Sequence, residues 1–193
     1  MKLDPFRTRD YITDFDEIVR ELSARSEATR AMLRMIEISY GPDRTETFDL
    51  FSPEKMKGPM PIHMFIHGGY WRMFSKRDFS YVADTIPAAG GIAAIVDYAL
   101  IPSVRMAVPV DQIRRAKTWL IGKSAELGGD PKRLTASGHS AGAHLCAWSF
   151  ADSNSVSGLR AALLLGGLYD LKPLQSSFLK PEIGITWLWW TGL

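Results

Sequence analysis

Apolar residues at positions 15, 18, 19 and 22 recur at three- and four-residue spacing in TDFDEIVRELSARSEATRAML, residues 13–33. The spacing predicts an N-terminal helix, with Thr13 and Asp16 as a capping pair at its start. The period then changes to two. In TETFDLFSP, residues 45–53, Phe48 and Leu50 alternate with polar neighbours, the pattern of a half-buried strand that ends near Pro53. PEKMKGPMP follows as a surface turn. Four short apolar runs come next: PIHMFI (61–66), GIAAIV (91–96), RLTAS (133–137) and AALLLG (161–166). Runs of this kind are expected of parallel strands covered on both faces. Between the second and third lies VPVDQIRRAKTWLIGKSAELGG, residues 108–129. Pro109 suits a first helical turn there, Ile113, Ala116 and Leu120 share one face, and Gly128 with Gly129 supplies the stop.

Alternating strands and helices predict an α/β domain with a mostly parallel, doubly wound sheet in a three-layer sandwich. No repeat, low-complexity tract or interdomain linker interrupts it, so residues 1–193 are expected to form one domain, with 185–193 as an atypical tail. Ligands of such sheets sit at the carboxyl ends of the strands, and two motifs fall at that edge.

The first motif is SGHSAG, residues 137–142, between RLTAS and AHLCAWSFA. Strand, sharp turn and helix is the context in which a GxSxG serine becomes an exposed nucleophile, here Ser140. Gly138 and Gly142 allow the close backbone approach such a turn demands, and the new helix directs its amino end at Ser140. The second is FIHGGYW, residues 65–71. Gly68 and Gly69 free the backbone to turn N–H groups inward, where with the N–H of Ala141 they can hold a tetrahedral oxyanion. The paired motifs predict a serine hydrolase.

At these residues the chain resembles the α/β-hydrolase superfamily, and within it the bacterial arylformamidase (kynurenine formamidase) and related esterase group. The resemblance rests on HGGYWRMFSKRDFSYVA, VDYALIP, ELGGDPKRLTASGHSAGAHL and LYDLKPL, and spans roughly residues 10 to 185. It implies hydrolysis of an N-formyl aryl amide, N-formylkynurenine, by a Ser/Asp/His triad with no metal or other cofactor. Ser140 matches the nucleophile; Gly68, Gly69, Tyr70 and Ala141 match the oxyanion loop and elbow. Related esterases of the hormone-sensitive-lipase-like group usually carry a third glycine where this chain has Tyr70, which tilts the reading toward the formamidase branch. A carboxylesterase and a noncatalytic remnant of the lineage are the alternatives.

The base and acid of a triad are not found on the chain. In this superfamily the order is serine, acid, histidine, and the one histidine after Ser140 is His144. It lies one helical turn further along and points away from the hydroxyl. His139 adjoins the nucleophile too closely for an in-line hydrogen bond. Packing or capping is the expected role of both. His67 is expected to brace the glycine loop, and His63 is assigned no role. Asp170 reads as a loop-fixing residue and Asp152 as a solvated one. After KPEIG the chain becomes ITWLWWTGL, which puts three of the six tryptophans into nine residues and reads as foreign to the fold. The expectation is a C-terminally truncated arylformamidase-like chain, with the triad acid and histidine on segments beyond it.

Of the remaining residues, Trp71, Tyr98 and His139 are expected at a substrate pocket, although aromatics that follow a glycine loop also serve to pack it. Cys146 reads as a small buried hydrophobe, and Arg72, Lys76 and Arg77 as a solvated helix start, with attraction of a substrate carboxylate as the alternative. The 23 basic and 21 acidic residues are interspersed, which argues against nucleic acid. A single cysteine and a first segment without a signal-peptide pattern predict a cytoplasmic protein, and no run reaches the roughly 20 apolar residues of a membrane span. The expected partner is a small-molecule substrate. AALLLG, as an open apolar edge, is expected to favour self-association or aggregation.

Overall fold

A computed structural model describes residues 4–150 and 157–184. Asp152 and the tryptophan-rich ending lie outside the described residues. Six strands form one sheet in the order β1-β2-β4-β3-β5-β6, with β1 at Met35–Ser39, β2 at Thr47–Phe51, β3 at Met60–Ile66, β4 at Ile92–Val96, β5 at Gly129–His139 and β6 at Ala161–Leu165. The β1–β2 and β2–β4 pairs are antiparallel, and β4–β3, β3–β5 and β5–β6 are parallel.

Helices cover both faces. On one side α2 (Ala107–Lys123) and α3 (Ala141–Trp148) pack Ile113, Ala116, Leu120 and Leu145 onto Ile62, Met64, Ala94, Val96 and Ala136. Each fully buried Leu or Ile of this layer contributes about 1.5–3 kcal/mol. On the other side α1 (Phe15–Met32) and the 3-10 helix Lys76–Asp84 cover Phe51, Phe65, Ala93 and Ile95. The three layers and the mostly parallel sheet agree with the pattern of the sequence.

Several local expectations are corrected. Asp14, not Thr13, occupies the α1 cap position, and no side chain caps it. The helix also docks by its polar side: Ser26 and Thr29 are buried while Ile18 is exposed. Ser26 Oγ donates to Asp78 O at 2.8 Å and accepts from Tyr81 N at 3.2 Å. Strand β2 is buried on both faces from Phe48 to Phe51, because Phe48 and Leu50 enter the core layer on one side of the sheet and Phe51 the layer on the other. Helix α2 ends at Lys123, ahead of the two glycines, where Ser124 Oγ bonds the Leu120 carbonyl. Strand β6 is not covered on both faces: it is the outer strand among the described residues, and Leu163, Leu164 and Leu165 are exposed.

The connections fix the place of the site. From β3 the chain moves to β4 on one flank, then crosses to β5 on the other. Strands β3 and β5 therefore leave their carboxyl ends side by side at the point where the winding reverses, where such sheets bind ligands. His67–Phe74 emerges from one and Ser140 from the other.

Candidate active site

Ser140 joins β5 to α3 with φ 53° and ψ −117°. This backbone conformation costs a non-glycine residue on the order of 1–3 kcal/mol, and the surroundings enforce it. The Ser140 N–H donates to Leu165 O at 2.8 Å, while its carbonyl accepts from Ala143 N at 3.0 Å and His144 N at 3.2 Å. Gly138 and Gly142 are required by contact: a Cβ on Gly142 would overlap the Ile66 carbonyl and lie 2.5 Å from His67 O, and one on Gly138 would overlap the Gly142 carbonyl. The turn leaves the serine side chain half-buried at the rim.

The glycine loop lies directly against this turn. A Cβ on Gly68 would sit 3.3 Å from Ser140 Cβ and 2.7 Å from His139 O. Gly69, Tyr70 and Trp71 then follow in the left-handed region at φ 105°, 54° and 59°, and Phe74 joins them at 71°. Gly69 could carry no side chain, since a Cβ would overlap Met73 O. Among the described residues no acceptor takes the N–H of Gly69, Tyr70 or Ala141. The arrangement brings a strained serine, unpaired loop amides and the amino end of α3 to one rim, a combination suited to developing negative charge on an acyl oxygen.

His67 is fully buried beneath the loop. Its Nδ1 donates to Gly68 O at 2.8 Å, its Nε2 is 3.4 Å from Asp97 Oδ1, and its ring stacks on Tyr98 at 4.4 Å. Asp97 Oδ1 accepts from Lys76 N at 2.6 Å. The sequence reading assigns Asp97 no role; its signals there are its place directly after the apolar run of β4, on the same carboxyl edge, and its position in the VDYALIP stretch.

Two residues expected at a substrate pocket are packed beneath the glycine loop. Tyr98 is buried and its hydroxyl donates to His67 O at 2.9 Å. Trp71 is fully buried and meets His144 edge-on at 5.2 Å. Both back the loop from the core. His139 is exposed beside Gly68. Lys76 is not solvated: it is buried, with Nζ 2.7 Å from Glu37 and 3.1 Å from Asp49. Arg77 does reach solvent, paired with Glu27, and Arg72 pairs with Glu182 at 3.2 Å. Asp170 Oδ1 accepts from Lys172 N at 3.0 Å, closing its own turn.

The other histidines are engaged away from Ser140. His63 bridges Thr135 Oγ1 at 2.8 Å and Ser137 Oγ at 2.7 Å on the sheet face. His144 Nε2 accepts from Trp148 Nε1 at 3.0 Å, which places the ring proton on Nδ1. Burial pushes the His144 pKa down from 6.5 to about 4. The fold thus binds this imidazole neutral while the unfolded chain protonates it below about pH 6.5. The associated stability is whole above that pH and is lost progressively toward pH 4, on the order of 3 kcal/mol in all. Melting temperatures measured from pH 7 to pH 4 are expected to fall, and His144→Gln is expected to flatten the decline. An unchanged slope in that variant would assign the acid sensitivity to other groups.

The chain is similar to known proteins over most of its length. The chain is 28% identical over 182 residues to the kynurenine formamidase of Danio rerio, covering 89% of this chain and 60% of that protein. The Drosophila melanogaster kynurenine formamidase is 30% identical over 162 residues, 81% of this chain and 51% of that one. The chain thus spans about half to three fifths of the length of these relatives. A crystal structure from Silicibacter sp. TM1040, described as a "putative thioesterase", superposes with a TM-score of 0.81 at 30% identity, covering 96% of this chain and 71% of that one. The BD-FAE family model matches residues 48–160, from β2 through the glycine loop and the serine turn to the residue before β6. With that match spanning more than half of its residues, this chain belongs to the BD-FAE family of α/β-hydrolases.

Proposed function

We propose that the chain carries the nucleophile and anion-binding half of a serine hydrolase that cleaves N-formyl aryl amides of the N-formylkynurenine type. The supporting observation is Ser140, held at φ 53° against Gly68 with unpaired amides at the same rim. Ser140 Oγ adds to the formyl carbon, forming the O–C bond, and the carbonyl electron pair moves onto oxygen. The N–H groups of Gly69, Tyr70 and Ala141 receive that charge. The C–N bond then breaks, the amine leaves with a proton, and water releases formate from the formyl-serine. The likeness to the two kynurenine formamidases, whose names state that activity of those proteins, favours the formamide.

The Ser140 proton needs an acceptor, and none of the four histidines is hydrogen-bonded to Oγ as placed. A serine site lacking its histidine turns over roughly a millionfold more slowly than a complete one. The isolated chain is therefore expected to label slowly with a fluorophosphonate at Ser140, to label faster when imidazole is supplied as an external base, and to show no labelling after Ser140→Ala. Labelling that survives Ser140→Ala, or formate release equal in the two chains, would favour a noncatalytic remnant.

A second reading, ester or thioester cleavage, is favoured by the superposition on the Silicibacter protein described as a thioesterase. It uses the same residues and differs in the leaving group. Ser140-dependent rates on a short-chain p-nitrophenyl ester against those on N-formylkynurenine decide between the two.

A further inference from the structure

Left-handed backbone at Tyr70 and Trp71 is strained for residues other than glycine and persists only where neighbours over-determine it. From the core, the Trp71 carbonyl accepts Ile101 N at 2.8 Å, and Gly69 O accepts the N–H groups of Arg72 and Met73 at 3.0 Å. These contacts fix the far end of the loop. They do not reach the side chain of Tyr70, which points toward the N-terminal segment.

The Tyr70 hydroxyl is fully used there. It donates to Phe6 O at 2.9 Å and accepts from Thr8 N at 3.2 Å, and it lies 2.6 Å from Thr8 Oγ1, whose proton completes its second acceptor site. The segment that supplies these groups is itself anchored. Asp4 Oδ1 accepts Phe6 N at 2.9 Å, and Asp4 Oδ2 accepts the Phe178 N–H. Phe178 meets the Tyr70 ring edge-on at 5.4 Å and lies under the Arg7 guanidinium at 4.8 Å. Residues 4–8 therefore strap the glycine loop to the segment ahead of the short helix α4 (Lys180–Ile183).

We propose that the N-terminal strap sets the anion-binding geometry of the glycine loop through the Tyr70 hydroxyl, which makes Tyr70 a positioning residue as well as the donor of a backbone N–H. This inference rests on the reading of Ser140 as nucleophile. Without the hydroxyl, Phe6 O and the Thr8 N–H turn to water and the strap lifts. Tyr70 is then free to relax to right-handed backbone, which rotates its N–H away from the serine.

The test uses phenylboronic acid on the full chain, with affinity read by 11B NMR. Boron accepts an electron pair from Ser140 Oγ, the O–B bond forms as the Oγ proton passes to solvent, and one boronate oxygen occupies the anion position. Ser140→Ala is expected to abolish binding. Tyr70→Phe is expected to weaken it about tenfold and Thr8→Ala about threefold, and the double variant to be no weaker than Tyr70→Phe alone, because both act through one contact. Ile113→Val, which loosens the core away from the loop, is expected to leave boronate affinity unchanged, separating positioning from general stability. Parent-like affinity in Tyr70→Phe, or additive losses in the double variant, would overturn the proposal while leaving the hydrolase reading intact. Equal binding by parent and Ser140→Ala would overturn the hydrolase reading instead. In that event amide exchange at Gly69 and Tyr70 still judges the strap: exchange faster in Tyr70→Phe supports it, and unchanged exchange refutes it. If Tyr70→Phe does not fold, Thr8→Ala alone carries both measurements.

Discussion

An Asp49→Asn chain is expected to lose about 3–5 kcal/mol of folding stability, a large share of the roughly 5–15 kcal/mol available to a domain of this size. Asp49 has no solvent exposure, and both of its cationic partners are nearly buried: Arg30 Nη1 bonds Oδ2, and Lys76 Nζ lies 3.1 Å from Oδ1. Arg30 comes from α1, Lys76 from the 3-10 helix and Asp49 from β2, so one carboxylate joins both covering elements to the sheet. Neutralising it strands two cations whose remaining partners are Glu37, Thr47 Oγ1 and Ser80 Oγ. Urea unfolding with an unchanged m-value measures the loss. A double Asp49→Asn, Arg30→Met chain is expected to recover part of it, because an uncompensated buried charge costs more than an apolar replacement of the pair. A single-variant loss below about 1 kcal/mol would mean that water reaches the network and screens it.

Gly142→Ala is expected to remove Ser140-dependent fluorophosphonate labelling by roughly a hundredfold or more. The added methyl would overlap the Ile66 carbonyl and crowd His67 O, so either α3 must lift or the end of β3 must retreat. Both movements separate Ser140 from the glycine loop, and misplacement by about 1 Å at a reacting centre costs on that scale. Backbone does not yield as a flexible side-chain tip does, so a stability loss of about 1–3 kcal/mol accompanies it. Gly122→Ala is the matching control, since nothing lies within 4 Å of a Cβ there and the position is helical. Labelling that survives Gly142→Ala would show that the elbow tolerates a wider separation from β3 than its contacts imply.

The parts of the fold that could be read from the sequence are those whose cause is local. Strands β3 to β6 stand as short apolar runs, and the glycines around Ser140 record backbone contacts that any side chain would violate. Strand β1 leaves no such trace, because MIEIS mixes apolar with polar residues and leaves Ile36 exposed. The burial of Trp71 and Tyr98 leaves no trace in the sequence for a different reason. Which side of a loop turns to the core depends on φ values such as the 59° of Trp71, and nothing in an aromatic residue type announces a left-handed backbone. Lys76 reads as surface chemistry in isolation, and its burial follows from Glu37 on β1 and Thr47 and Asp49 on β2. The Tyr70 clamp spans 62 positions and depends on single hydrogen bonds with no periodic trace.

The packing of α3 also gives the molecule a chemical clock. Cys146 stands six residues beyond Ser140, fully enclosed, with burial holding its thiol up at about 11. An alkylating reagent at neutral pH finds almost no thiolate in the closed state. Its rate of reaction therefore counts the excursions in which this helix parts from the strands beneath it.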